Sequence, residues 1–184
     1  MTIRLTAAAA AACVLAAGGA DGAVTVFGGG MAQACSQAAL AGKSDAPSVM
    51  LCDKALESEM LEAHDRAGTF INRGVMKLRR QAYEAARMDF NVAIALAPTI
   101  GEGWINRGAM FVGEKRYKEG LADLDTGLAL GPREPEKAYY NRALAYEGLD
   151  DEKAAYLDYR QALALKPGWD LPQRELLRFT VTTR

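Results

Sequence analysis

The sequence has few of the side chains from which catalytic or metal sites are built. Its 184 residues include one histidine, His64, and three cysteines. No residues stand at zinc-ligand spacing, and the chain has neither a phosphate-binding glycine motif nor a nucleophile motif. A lone imidazole next to Asp65 and Arg66 is typical of a solvated helix surface rather than of a general base. The chain is therefore predicted to be noncatalytic, with no metal and no cofactor.

The sequence also lacks an excess of charge of either sign. Its 22 Lys and Arg and 23 Asp and Glu residues give a formal net charge of −1, and the two signs are interspersed. Nucleic acids and anionic lipid surfaces are bound by clusters of basic side chains. Neither is an expected partner. A hydrophobic content of 50% with 24% charged residues is ordinary for a folded globular chain.

The first 23 residues differ in composition from the rest. Arg4 gives a basic start, residues 5–17 are almost entirely apolar, and small residues follow as far as Ala23. This order is typical of a secretory signal peptide over 1–23, and it predicts cleavage between Ala20 and Ala23. The apolar run is shorter than the roughly 20 residues that a bilayer span needs, so no stable membrane span is expected after cleavage. The expected location is the periplasm or the exterior; the alternatives are a membrane anchor, through an uncleaved leader or a lipidated Cys13.

Two cysteines follow the predicted signal peptide, and their positions suggest a bridge. A glycine-rich linker is predicted over 24–30 and a helical hairpin over 31–66. Cys35 and Cys52 lie at similar distances before and after the turn of that hairpin, so antiparallel helices would place them at the same height. An even cysteine count behind a signal peptide favours a disulfide. Two buried thiols are the alternative.

An internal repeat occupies most of the remaining chain. Asn-Arg-Gly stands at 72–74 and again at 106–108, and Asn-Arg-Ala follows at 141–143. The steps are 34 and 35 residues, and Pro98, Pro132 and Pro167 keep the same rhythm. A period of this length predicts stacked helical hairpins, here over 67–100, 101–134 and 136–169. Residues 170–184 are predicted to form a capping helix, started by Asp170, and a tail.

The repeats share a pattern of aromatic and small residues. Its members are Phe70, Gly74, Tyr83, Ala86, Phe90, Ala93 and Pro98 in the first repeat, Trp104, Gly108, Phe111 and Tyr117 in the second, and Tyr139, Tyr146, Ala155, Tyr159, Ala162 and Pro167 in the third. This pattern resembles the tetratricopeptide repeat. The resemblance implies an all-α solenoid of antiparallel helix hairpins, closed by a C-terminal capping helix, with a concave surface lined by the first helix of each repeat. With the signal peptide, it suggests an exported bacterial protein.

Arginine replaces the leucine of the family pattern in every repeat. Arg73, Arg107 and Arg142 are each followed 16 residues later by an aspartate, and these aspartates are Asp89, Asp123 and Asp158. Because the two helices of a hairpin lie side by side, each arginine is predicted to form a structural ion pair with its own aspartate. The alternative is an outward basic row that binds an acidic ligand.

The three asparagines of the triplets are the candidate binding residues. In some relatives asparagines at this place hold the backbone of an extended peptide, and an amide suits that task because it offers a donor and an acceptor. The predicted peptide-binding residues of the concave groove are Asn72, Asn106, Asn141, Ile71, Val75, Ile105, Val112, Tyr140 and Leu144. The alternative is that the asparagines only join neighbouring helices. A clamp for acidic C-terminal peptides is not expected, because only Asn106 and Lys137 match it.

These features predict a noncatalytic scaffold or adaptor of the bacterial cell envelope. Its partner would be a protein or peptide, bound in the groove as an extended or helical segment. The alternative is a structural protein that self-associates as a homo-oligomer and whose groove is filled by its own N-terminal segment, including residues 24–27.

Overall fold

The computed structural model describes residues 2–5, 22–27 and 30–182. Most of the predicted signal peptide, with Cys13 and Ala20, lies outside the described residues. The described part of the chain forms the following elements, in chain order: β1 (Thr2–Leu5), α1 (Met31–Leu40), α2 (Ala46–Ser58), α3 (Ala63–Arg79), α4 (Tyr83–Leu96), α5 (Gly101–Gly113), α6 (Tyr117–Ala129), α7 (Pro135–Glu147), α8 (Glu152–Leu165), α9 (Asp170–Leu176) and β2 (Phe179–Thr182).

The helices form the predicted all-α solenoid of antiparallel hairpins. Helices α3 and α4, α5 and α6, and α7 and α8 pack as pairs, and each pair packs on the next. Consecutive pairs are separated where a proline ends the second helix, because proline cannot donate a helix hydrogen bond and disfavours helix in the residue before it. Helix α4 ends two residues before Pro98, and α8 ends two residues before Pro167. Helix α3 begins at Ala63, within the segment that the sequence assigned to the N-terminal hairpin.

The turn within each repeat depends on a residue in the left-handed region. Gln81, Lys115 and Asp150 have φ angles of 62°, 61° and 61°. In each turn, the amide of the following residue donates to a carbonyl near the end of the first helix; Ala82 N, for example, lies 3.0 Å from Lys77 O. These non-glycine residues recur with the period of the repeat, so the three hairpins are built in the same way.

Small residues in the first helix of each repeat make room for large ones in the second. A Cβ atom on Gly74 would lie 2.5 Å from Cε1 of Phe90, which is closer than real atoms approach. The third repeat has Ala143 at the corresponding place, fully buried in one cluster with Tyr159. The aromatic and small positions of the family pattern therefore form the interior of each hairpin.

The N-terminal hairpin is formed by α1 and α2 and joined by a disulfide between Cys35 and Cys52, which are 17 residues apart. Closing a loop of this length contributes about 3 kcal/mol in the chain-entropy account. Asp45 caps α2 by accepting a hydrogen bond from Ser48 N at 2.9 Å, and Pro47 lies in the first turn. Both cysteines are fully buried against Met76 of α3, so the hairpin is packed on the first repeat.

The C-terminal end differs from the sequence prediction in two ways. Asp170 is the first residue of α9 rather than its cap; Trp169 takes the cap position with no side-chain hydrogen bond, and its ring packs on Tyr140. The tail carried no sequence signal, but it contains β2. This strand pairs antiparallel with β1, and Ile3 lies opposite Val181 in the register. Ile3 is buried in the cluster of Tyr159 and Phe179. Because β1 lies within the predicted signal peptide, cleavage would remove this partner of β2.

Candidate functional site in the concave groove

The asparagines of the three triplets occupy the same place on the first helix of each repeat. Asn72 lies on α3, Asn106 on α5 and Asn141 on α7. Asn72 and Asn106 are completely buried, and Asn141 is 6% exposed. Buried amides require hydrogen-bond partners, because an amide withdrawn from water without one costs about 1–3 kcal/mol. The partners of these amides therefore indicate what the groove is built to hold.

The partner of Asn72 is the backbone of the chain's own N-terminal part. Residues 22–27, hereafter the groove segment, have no helix or strand assignment. The amide of Val24 donates to Asn72 Oδ1 at 2.7 Å, and Asn72 Nδ2 donates to the carbonyl of Val24 at 2.8 Å. One side chain thus satisfies both backbone groups of one residue, which is the pattern expected for sequence-independent peptide binding.

The second asparagine meets the segment two residues earlier. Asn106 Nδ2 donates to the carbonyl of Gly22 at 3.0 Å. Its Oδ1 atom is buried, and among the described residues no group donates to it. Among the described residues Asn106 therefore uses its donor but not its acceptor, whereas Asn72 uses both.

Two residues outside the predicted site also hold the groove segment. Ser36 of α1 accepts a hydrogen bond from Val26 N at 3.1 Å and donates to Val24 O at 2.8 Å. Arg133, between α6 and α7, donates through Nη1 to the Thr25 hydroxyl at 2.7 Å. Alternate segment residues thus reach α5, α3 and α1 in turn, which requires an extended path that runs from the second repeat to the N-terminal hairpin.

The floor of the groove under the segment is a glycine. A Cβ atom on Gly68 would lie 3.1 Å from Cγ2 of Val26 and 3.4 Å from Cγ1 of Val24. Val26 is 2% exposed and clusters with Ala32 and Ala55 of the N-terminal hairpin. Neither Gly68 nor Ser36 belongs to the repeated triplets, so periodicity could not identify them. The small size of Gly68 and Ser36, together with the valines of the groove segment, was the sequence feature that could have indicated this contact.

The third asparagine bonds within its own helix, and two residues of the predicted apolar lining pack between helices. Asn141 Nδ2 donates to Lys137 O at 2.9 Å, within its own helix. Tyr140 packs against the rings of Tyr159 and Trp169, and Leu144 packs at the boundary between two core clusters. These contacts place Tyr140 and Leu144 in the packing between helices.

The remaining apolar residues of the predicted lining are buried in clusters, and the groove segment joins one of these clusters through Val24. Ile71 and Val75 are completely buried in the cluster of Phe90, and Val24 packs against that cluster. Val112 is buried with Leu124. Ile105 also lines a small cavity beside Gly22.

The arginines point away from the asparagines and join neighbouring helices. Each contacts its own aspartate twice, with Nε–Oδ2 distances of 2.9 Å for Arg73, 2.7 Å for Arg107 and 2.7 Å for Arg142. Each also donates through Nη1 to a residue of the preceding hairpin, and these residues are Asp53, Asn91 and Asp125. The arginines therefore bind within and between repeats, and are not a free basic row.

Aromatic residues complete the surroundings of the arginines. The guanidinium carbons of Arg73 and Arg142 lie 5.2 Å from the ring centroids of Phe70 and Tyr139, and that of Arg107 lies 5.1 Å from the Trp104 centroid. Such cation–π contacts add to the ion pairs. The hydrogen bond with Asp158 raises the pKa of Arg142 above its usual value although burial opposes the charge. The Arg142 guanidinium is therefore charged at neutral pH.

His64 lies on the exposed surface of α3. Its side chain is 63% exposed and its Nδ1 atom lies 3.5 Å from Asp65 Oδ1. The described residues contain no group of three or more His, Cys, Asp or Glu side chains placed to hold a metal ion. Within the same residues, no helix has both the length and the hydropathy needed to cross a bilayer.

Comparison with known proteins identifies the fold. No protein-family model matches the chain, and no curated protein matches it in sequence. Among solved structures, the Arabidopsis OM64 TPR domain is similar with a TM-score of 0.60 and 22% identity, covering 63% of this chain and 95% of that one. MamA is similar with a TM-score of 0.61 and 17% identity, covering 77% and 80%.

A third similar structure is the second TPR domain of human RPAP3, in complex with the HSP70 peptide SGPTIEEVD. Its TM-score is 0.57 at 24% identity, covering 62% of this chain and 95% of that one. At such identities the likeness concerns the fold alone. The repeat period, the stacked hairpins and these three structures agree: the chain has the tetratricopeptide-repeat fold.

Proposed function

We propose that the protein is a noncatalytic scaffold or adaptor that holds an extended segment of a protein partner along its concave groove. The observation that carries the proposal is the contact at Asn72, whose amide binds both backbone groups of Val24. A groove that already binds one extended backbone has the donors and acceptors for another. Each such hydrogen bond contributes about 1 kcal/mol.

We place the protein in the bacterial cell envelope, in the periplasm or outside the cell. The support is the predicted signal peptide together with the bond between Cys35 and Cys52, since disulfides persist in oxidising compartments. Anchoring by an uncleaved leader or by a lipidated Cys13 is the alternative. The mass of the protein isolated from the envelope distinguishes the three forms.

The test of the binding function compares variants of the groove in a pull-down from envelope extract. The baits are the unmodified chain, Val26→Asp, which withdraws the groove segment, and Val26→Asp combined with Asn72→Ala and Asn106→Ala. Gln161→Ala, on an exposed part of α8, is the matched control, and circular dichroism checks that each bait is folded. We expect a partner that either of the first two baits retains and that the asparagine variant loses. The same proteins on all baits would contradict a working groove.

A second candidate is a structural protein that self-associates, with its groove closed by its own chain. The placement of the groove segment, with Ala23 and Val26 buried, favours it. Mass measured against protein concentration separates the two candidates. A monomer over the micromolar range excludes self-association as the principal role, whereas a stable oligomer that captures no partner excludes the adaptor.

A further inference from the structure

The groove segment has properties that a permanent lead-in to α1 would not need. It is bound by α1, α3 and α5 and by Arg133, over a stretch of only six residues. Most of the bonds go to its backbone rather than to its side chains. Such contacts are typical of a bound peptide ligand.

The same contacts define which side chains fit. Ala23 is 8% exposed and packs with Cys52 and Met76, so a small residue is required there. Val24 and Val26 both lie over Gly68, and a Cβ atom there would meet Val26 Cγ2 at 3.1 Å, which is a tight contact. None of the six residues is charged. A fitting ligand is thus an uncharged extended segment with a small residue followed by valine or another β-branched residue at two alternate positions.

We propose that the groove segment is an intramolecular competitor that occupies the site of such a ligand and holds the protein in a closed state. The inference rests on the proposed peptide-binding function of the groove and names both its ligand class and its regulation. The ligand is a segment of another protein with the pattern small-Val-x-Val, running from the second repeat toward the N-terminal hairpin. It replaces residues 22–26 on Ser36, Gly68, Asn72 and Asn106.

The strength of the competition follows from the short connection between the segment and α1. Phe27 and Met31 are separated by three residues. A short tether gives an effective concentration on the order of millimolar, so a free peptide at 10 µM meets a competitor about a hundredfold more concentrated. The unmodified chain should therefore bind free ligand at least tenfold more weakly than a chain whose segment is withdrawn.

The experiment titrates a synthetic peptide, Gly-Ala-Val-Thr-Val-Phe with blocked ends and a fluorescent label, into the full chain. The proteins are the unmodified chain, Val26→Asp, and Thr25→Ser as a matched control that keeps the hydroxyl bound by Arg133. Val24→Pro is a second releasing variant without a buried charge, since proline lacks the N–H that donates to Asn72. It serves if Val26→Asp does not fold.

We expect the releasing variants to bind the peptide at least tenfold more tightly than the unmodified chain and Thr25→Ser. Adding Asn72→Ala to Val26→Asp should weaken binding about tenfold. A peptide methylated on the nitrogen of its valine at the third position should lose a similar factor, because the methyl group removes the donor to Asn72 Oδ1. A control peptide with Asp at the fifth position should not bind.

Three results would overturn the inference: equal binding by the unmodified and released chains, no binding by either released chain, or equal binding of the methylated and unmethylated peptides. The proposed function fails separately. If an envelope protein is captured equally by the unmodified chain and by Val26→Asp, and in both cases depends on the asparagines, the groove works and the competitor does not. The remaining outcome is a pull-down that finds no partner dependent on the asparagines while the peptide binds only to the released chains. That result supports the closed state and contradicts the adaptor function.

Discussion

The groove side of the first helices and the side that packs on neighbouring helices use adjacent residues of the same triplet for different purposes. Asn72 faces inward and binds the backbone of an extended segment, whereas Arg73 faces away and binds Asp89 of its own repeat and Asp53 of the preceding hairpin. The inward contacts are neutral and are made to the backbone of the groove segment. The outward contacts are made by a charged guanidinium to neighbouring helices. A single triplet therefore carries both the contact with the groove segment and the stacking of the repeats.

Removing an arginine should have the largest effect, because it leaves a buried carboxylate. We expect Arg107→Met to lower the free energy of unfolding by about 3 kcal/mol, since Asp123 is 6% exposed and loses its ion pair. Arg73→Met should cost less, because Lys77 Nζ remains 2.8 Å from Asp89 Oδ2. Urea unfolding measures both variants. Equal losses for the two would contradict this account of the outward contacts; Arg107→Met combined with Asp123→Leu should recover most of the loss.

Removing an asparagine should open the groove segment without unfolding the solenoid. Asn72→Ala deletes two hydrogen bonds and should make opening easier by about 2 kcal/mol, whereas Asn106→Ala deletes one and should change it by about 1 kcal/mol. The reporter is hydrogen exchange at Val26 N–H, which donates to Ser36 and not to either asparagine. If Asn106→Ala made opening easier than Asn72→Ala does, the number of hydrogen bonds that each asparagine makes would not be what holds the segment.

Alanine at Gly127 would match the family pattern but should destabilise this chain. A Cβ atom there would lie 2.5 Å from Cγ1 of Ile105 and 2.9 Å from the carbonyl oxygen of Gly101. Overpacking costs about 1–3 kcal/mol and outweighs the helix-propensity gain of about 1 kcal/mol. We expect a net loss of about 1 kcal/mol in urea unfolding. The exposed neighbour Thr126→Ala is the control, and a Gly127→Ala chain as stable as the unmodified one would mean that α5 and α6 can separate at no cost.

The smallest expected change in stability concerns Asn91, which is the neutral residue among the three that accept from the arginines in the preceding hairpin. Arg107 donates to Asn91 where Arg73 and Arg142 donate to Asp53 and Asp125. We expect Asn91→Asp to stabilise the chain by about 0.5 kcal/mol at low salt and by less at high salt, because the new pair is exposed. Thermal unfolding at two salt concentrations checks this. A gain that does not depend on salt would point to a cause other than the ion pair.

Periodicity was enough to predict the repeated parts of the molecule. The period of the Asn-Arg triplets indicated stacked hairpins, and the matching aspartates indicated the partners of Arg73, Arg107 and Arg142 within each repeat. The partners in the preceding hairpin were not visible, because their separations of 20, 16 and 17 residues are irregular. The left-handed turn residues Gln81, Lys115 and Asp150 also escaped, since none of them is a glycine.

Features that occur once in the chain were harder to predict than the repeated hairpins. The pairing of Thr2–Leu5 with Phe179–Thr182 joins the two ends of the chain through strands of four residues, which carry no periodic signal. The groove segment was only an alternative from sequence, because its contacts with Ser36 and Gly68 depend on how the disulfide-linked hairpin packs against the first repeat. Long-range packing of this kind has no local pattern.

The most direct test of the central claim is the hydrogen exchange rate of Val24 N–H in the unmodified chain, measured by NMR. If Asn72 binds both backbone groups of Val24, this amide is protected by a factor of about 100, which corresponds to an opening free energy near 3 kcal/mol. The protection disappears in Asn72→Ala and remains in Thr25→Ser. Exchange of Val24 N–H at the rate of an unfolded chain would contradict the claim that the concave amides hold an extended backbone.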